Sequence, residues 1–119
     1  MNRCPDPSDL QSFFGVAGVT EDGKGGDWFY DRIRFTHVGP AGRTTCTILP
    51  GEGQFAVEHV KGGAIHLDVA LRHVVSLDLE SSAGTQLLIG HVSRGPVEQL
   101  FKLRLAPEFS FSLTTSLEG

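Results

Sequence analysis

The stretch Ile65-His66-Leu67-Asp68-Val69-Ala70-Leu71 decides the fold, because its large apolar side chains occupy every second position. Side chains alternate between the two faces of a strand, so this period predicts a strand with one face in a core and the other in water. The odd-numbered phase extends outward through Phe55, Val57, Val75, Leu77, Leu79, Leu87, Ile89, Val97, Phe101, Leu103, Leu105, Phe109, Phe111 and Leu113. The sequence therefore predicts an all-β fold, an antiparallel meander that forms a sandwich or a curled half-barrel.

The chain length and the amino-terminal sequence complete this prediction. The 119 residues fit one domain, 1–119, and the 15 glycines and 6 prolines cluster between the apolar runs, as expected for short strands joined by tight turns. Residues 6–15 predict one short helix that begins at an Asp or Ser N-cap and ends at Gly15. Leu10, Phe13 and Phe14 would form its apolar face.

Turn lengths follow if apolar residues are required to face each other across each hairpin. This rule predicts a four-residue loop at 39–42 and three-residue turns at 61–63, 82–84, 94–96 and 106–108. A bend, bulge or turn is expected within 71–74. The hairpin 28–49, the helix or both would cover the core face of the sheet. The predicted facing pairs are Phe35 with Cys46, Ile33 with Ile48, Val57 with Leu67, Leu79 with Leu87, Ile89 with Phe101, and Leu103 with Phe111.

Charge and composition exclude several classes of function. The 10 basic and 14 acidic residues give a net charge of −4 and are spread evenly, whereas a nucleic-acid binder needs clustered cations. The amino terminus lacks the apolar segment of a secretory signal, and no stretch approaches the length of a membrane span. We therefore expect a cytoplasmic protein with no nucleic-acid or membrane partner and no cofactor.

Polar residues in the predicted inward phase form the first candidate site. The inferred register places Val75 opposite His91, His91 opposite Gln99 and Gln99 opposite Thr115, with His73 diagonal to His91. Imidazoles at the open end of a sandwich could act as acid, base or hydrogen-bonding groups in a pocket. They could equally form a polar rim in which each group bonds to a loop carbonyl or water.

A second cluster consists of Glu58, His66 and Asp68 on the predicted outer face. Glu58 would face His66 across the hairpin, and one imidazole with two carboxylates could hold a divalent metal. Such groups are also ordinary on exposed sheets, where they contribute little to stability. We predict that these three residues do not bind a transition metal.

The third candidate is an apolar patch on the predicted outer face, formed by Val74, Leu88, Val92 and Leu100. It could contact the protein's own helix, a second subunit or a partner protein. Trp28 and Tyr30, beside the glycine-rich segment 21–27, are aromatics of the kind enriched at interfaces.

Two functional hypotheses remain open from the sequence. The sequence contains no Gly-x-Ser-x-Gly, His-x-His, His-Glu-x-x-His or phosphate-binding glycine motif. Cys46 fits a buried strand position. The first hypothesis is a small non-enzymatic interaction module, an inhibitor or immunity-type protein, that binds a protein partner or itself through the patch. The alternative is a small-ligand-binding protein or cofactor-free lyase or isomerase that uses His73, His91 and Gln99.

Overall fold

Nine antiparallel strands, one α-helix and a short 3-10 helix at Pro50–Glu52 are found in the structure, a computed structural model that describes residues 1–20 and 30–117. The strands form two meanders, one sheet with the order β1-β2-β3-β4-β5 and another with the order β6-β7-β8-β9. The elements are α1 Pro7–Phe14, β1 Val19–Thr20, β2 Ile33–Gly39, β3 Gly42–Leu49, β4 Gln54–Lys61, β5 Ala64–Leu71, β6 Val74–Ser82, β7 Thr85–Arg94, β8 Val97–Arg104 and β9 Ser110–Leu117.

The predicted all-β meander is confirmed, but its division between sheets differs from the expectation. The chain passes from one sheet to the other through Arg72 and His73, where the sequence predicted a bend. Strands β4 and β5 therefore belong to the same sheet as the β2–β3 hairpin instead of being covered by it. The two sheets pack face to face, with the ring of Phe55 from β4 stacked on Phe101 from β8 at a centroid distance of 4.5 Å.

Several predicted facing pairs are confirmed and several are wrong. The pairs Phe35–Cys46, Ile33–Ile48, Leu103–Phe111 and Gln99–Thr115 are observed. In contrast, Leu79 faces Leu88 instead of Leu87, and Phe101 faces Gly90 instead of Ile89. The errors all involve strand β7 or the β4–β5 hairpin.

Short turns explain the errors around β7. Ser82 pairs with Thr85 and Arg94 with Val97, which leaves two-residue turns where three residues were predicted. Ala83 and Gly84 both have positive φ, as type I′ hairpin turns require. Each missing residue shifts the facing pairs by one position, so β7 turns its even-numbered residues inward, and the second short turn returns β8 to the odd phase.

The β4–β5 hairpin keeps the odd phase by a different route. Gly62 and Gly63 form another two-residue turn, and the register then shifts by one residue beside Val60. A bulge of this kind adds one unpaired residue and restores the alternation. Val57 consequently faces Val69, and the prediction that it faces Leu67 is wrong.

The helix matches its sequence signals and covers part of the core. The Asp6 carboxylate accepts a hydrogen bond from the Asp9 backbone amide at 3.0 Å, and Gly15 ends the helix in a left-handed conformation. Phe14 is fully buried and stacks on Phe35 of β2, with ring centroids 4.6 Å apart. The helix thus packs into the core and does not cover the predicted outer patch.

A close approach between Gly90 and Phe101 fixes the centre of the second sheet. These residues face each other across the β7–β8 pair, and a Cβ built on Gly90 would overlap the Phe101 ring. Phe101 is fully buried and contacts Phe55 on its other side, so the ring cannot move aside without disturbing the packing between sheets. Gly90 therefore provides the space that Phe101 fills.

This packing predicts strong coupling between the two positions. Gly90→Ala should lower the free energy of unfolding by about 1 to 3 kcal/mol through overpacking, and Phe101→Ala by about 3 to 5 kcal/mol through a cavity. In the double variant the added methyl group has space, so Gly90→Ala should cost almost nothing there. Urea unfolding of the four proteins measures this coupling, and additive effects would contradict the contact.

Candidate protein-docking surface

The predicted outer apolar patch lies mostly in the core. Val74, Leu88 and Val92 are 1%, 0% and 4% exposed, and the predicted outward orientation of these three residues is wrong. The two-residue turn before β7 turns Leu88 and Val92 inward, and the bulge near the start of β6 does the same for Val74. Val74 and Val92 face each other across a buried part of the sandwich.

Different apolar residues occupy the outer face of the second sheet. Leu100 remains there, facing His91, and both Leu87 and Ile89 have moved to this face with the inversion of β7. All three apolar side chains are half-buried, and they alternate with Asp78, Glu80 and Lys102 on the neighbouring strands. This mixture is typical of a solvated sheet surface and does not form a continuous apolar patch.

The inversion of β7 is testable with two lysine substitutions. Leu88→Lys places an ammonium group in the core and should destabilise the fold by more than about 3 kcal/mol, whereas Ile89→Lys should cost less than about 1 kcal/mol. Thermal or urea unfolding of both variants measures the difference. The opposite order of stabilities would show that the odd-numbered residues of β7 face the core and that the described inversion is wrong.

The two predicted interface aromatics fall at the border of the described chain. Trp28 lies outside the described residues. Tyr30 is 74% exposed and precedes β2. A binding role for this aromatic pair stays a prediction.

The three residues of the predicted pocket do not converge. His91 is exposed on the outer face, where its Nδ1 lies 3.3 Å from the Ser76 hydroxyl, and it faces Leu100 instead of Gln99. The predicted Val75–His91 pair is likewise replaced by Ser76–His91. Gln99 lines one cleft with His73 and a second space, of about 350 Å³, with His91. The three groups do not share one site, which weakens the hypothesis of an acid–base site built from all three.

The space shared by His73 and Gln99 is an open cleft of about 590 Å³ between the two sheets. One wall is the β5–β6 connection with Arg72 and His73, and the other is the β7–β8 hairpin with Arg94 and Gln99. Backbone hydrogen bonds hold the first wall in place: the Ser93 amide donates to the His73 carbonyl at 3.0 Å, and the Val74 amide donates to the Gly53 carbonyl at 2.9 Å.

The predicted metal cluster has a different arrangement from the one expected. Glu58 faces Asp68 across the β4–β5 pair, because the bulge moves His66 out of the facing position. Within residues 1–20 and 30–117, the structure places no group of three histidine, cysteine or acidic residues close enough to hold a metal ion. The expectation of no metal binding remains a prediction.

Thermal unfolding tests the prediction about metals. Melting curves with and without zinc, manganese or nickel should coincide, because only a ligand that prefers the native state raises its stability. A rise of several degrees that is lost in His66→Ala would contradict it.

The buried polar and thiol groups have structural roles. The His59 ring stacks on Phe109 at 3.8 Å, its Nε2 donates to the Ala41 carbonyl at 2.8 Å, and its Nδ1 accepts from the Thr44 hydroxyl at 2.8 Å. Both ring nitrogens are thus occupied. Burial raises the pKa of the Cys46 thiol and raises that of Cys4 to about 11, so neither thiol forms an appreciable thiolate at neutral pH.

Three of the four sheet edges carry features that hinder pairing with another strand. The edge of β2 is partly paired with β1, and residues 1–3 lie against β6, where the Asn2 amide donates to the Val75 carbonyl at 2.7 Å. Strand β5 has the bulge, together with the polar side chains of His66 and Asp68. Bulges, charges and covering segments are common protections of sheet edges.

Strand β9 is the edge that lacks these protections in the described chain. Its sequence, Ser110-Phe111-Ser112-Leu113-Thr114-Thr115-Ser116-Leu117, contains no charge, proline or glycine. It pairs with β8 through eight consecutive residue pairs without a register shift, and the described residues place no strand on its other side. Such an edge is a template for an additional strand.

Neither the cleft arginines nor the β9 edge was predicted from the sequence. The uncharged run 110–117 was visible in the sequence and could have identified β9 as unprotected. Arg72 and Arg94 lie far apart in the sequence, and only the passage of the chain between sheets brings them to one cleft. The detection of that pair requires the correct turn lengths on both sides of β7.

Comparison with solved structures identifies a similar fold. A chain of the contact-dependent growth inhibition toxin–immunity protein complex from Klebsiella pneumoniae 342 matches with a TM-score of 0.81 and 13% sequence identity, over 97% of this chain and 97% of that chain. No protein-family model and no curated protein sequence matches this chain. Among the described residues, no helix is long and apolar enough to cross a membrane. The likeness at this level of identity concerns the fold and extends over nearly the whole of both chains.

Proposed function

We propose that this protein is a non-enzymatic, immunity-type binding module that attaches to a toxin domain and blocks it. The observation that carries the proposal is the unprotected edge of β9, which can accept a strand of a partner protein. Main-chain hydrogen bonds along such an edge provide affinity, and the flanking side chains provide specificity. The similar fold in a toxin–immunity protein complex supports the immunity-type class.

The interior of the protein agrees with a binding role better than with catalysis. His59 and Thr44 are buried and bonded to each other, and buried side-chain polar atoms in the described residues all have partners. His73 and His91 line different spaces, so they do not form an acid–base pair with each other. The remaining capacity for recognition lies on the exposed edge and in the open cleft.

The direct test uses the protein encoded next to this chain in its genome. We expect it to contain a domain that arrests growth when expressed alone and is neutralised by coexpression of this chain. The purified proteins should form a complex, and the amides of β9 should exchange more slowly with deuterium in that complex. Absence of a complex, together with unrelieved growth arrest, would show that the proposed function is wrong.

Two lysines on the β9 edge localise the binding. Thr114→Lys/Ser116→Lys introduces charges of the kind that protect natural edges, and should weaken the complex at least about tenfold. The matched control, Gln11→Lys/Gln86→Lys, adds the same charge at exposed positions of α1 and β7 and should bind as the unmodified protein does. Equal effects of both double variants would indicate binding elsewhere.

A further inference from the structure

The cleft between the sheets is positively charged in a protein whose net charge is negative. Arg72 and Arg94 line it together with His73 and Gln99, and among residues 1–20 and 30–117 no acidic side chain contributes to its lining. Both arginines are exposed, and within the described chain neither is hydrogen-bonded to a carboxylate, in contrast to Arg3, whose Nε lies 2.6 Å from Asp78. Two unpaired guanidinium groups on facing walls form a complementary site for an anion.

Part of the lining of the cleft is apolar. This part is formed by Leu71, Val92 and Val97, and only 4% of the surface of Val92 is exposed. A free inorganic anion makes no use of this apolar surface, whereas a peptide with alternating acidic and apolar side chains can use both parts. Gln99 connects the cleft to the β9 edge, because its side-chain amide donates to the Thr115 hydroxyl at 3.1 Å.

We infer that this cleft binds an acidic peptide segment of the partner, with a carboxylate between Arg72 and Arg94 and a neighbouring apolar side chain against Val97. This inference rests on the proposed function and adds the chemistry of the partner to it. Charge complementarity is its basis: the described part of the chain gives the cleft two arginines and no acid. Charge-assisted contacts of guanidinium with carboxylate are among the stronger hydrogen bonds in proteins.

The test uses two capped pentapeptides, one alternating valine with aspartate and one alternating valine with asparagine. In an NMR titration of the ¹⁵N-labelled protein, the aspartate peptide should shift the amide signals of Arg72, His73 and Arg94, and the asparagine peptide should bind at least about tenfold more weakly. Arg72→Gln/Arg94→Gln should abolish the shifts. The control Arg34→Gln/Arg43→Gln, which removes equal charge from exposed positions of the first sheet, should retain them.

Three results would overturn the inference. These are equal binding of the two peptides, equal loss in both arginine double variants, and full competition by inorganic phosphate at a concentration similar to that of the peptide. The last would identify a general anion site.

Failure of the inference can be distinguished from failure of the proposed function. A toxin domain that binds Arg72→Gln/Arg94→Gln as tightly as the unmodified protein would refute the cleft site and leave the binding module intact. If the aspartate peptide binds the cleft while the neighbouring protein forms no complex, the proposed function is wrong and the cleft remains a binding site for acidic segments.

Discussion

The contact of Phe101 with Gly90 on one side and Phe55 on the other determines how the two sheets fit together. A large ring can lie flat across a neighbouring strand only where that strand lacks a side chain, and Gly90 is the β7 residue that faces it. The opposite face of the ring then packs on Phe55 of the other sheet. One aromatic residue thereby fixes the pairing of β7 with β8 and the packing of β8 on β4. The two walls of the cleft, the β5–β6 connection and the β7–β8 hairpin, depend on this packing for their relative position.

The sequence predicted the fold class because apolar and polar residues alternate along most of the strands. This alternation indicates strands whichever face of each strand is buried. It could not predict the inward face of β7, because a two-residue and a three-residue turn differ by one position and a shift by one position exchanges the faces of a strand. Leu87, Leu88 and Ile89 are all apolar, so this segment fits either orientation by hydrophobicity alone. The positive φ of Ala83 was unexpected, because alanine is rare in that conformation.

The same one-position shift explains why two of the predicted candidate sites are not found where they were expected. The predicted apolar patch contained Leu88 and Val92, which became core residues once β7 was inverted. His91 moved in the opposite direction, from a predicted pocket to the outer face. The register of the β8–β9 pair was predicted correctly, because the predicted turn at 106–108 gives the same facing pairs as those observed. The prediction that Gln99 faces Thr115 is therefore confirmed.

The surface features that remain are adjacent to each other, and this arrangement has a consequence for recognition. Strand β9 pairs with β8 through Gln99–Thr115 and Val97–Leu117, and the same two β8 residues line the cleft. A strand added to β9 is separated from Arg94 by β9 and β8, so a partner that also reaches Arg72 and Arg94 must extend past the end of the added strand toward the β7–β8 hairpin. Backbone pairing alone accepts many sequences and many registers, whereas an acidic residue that must reach the arginines selects one register. In the proposed binding mode, the sheet edge would supply affinity of a general kind, and the charged cleft would select the partner strand.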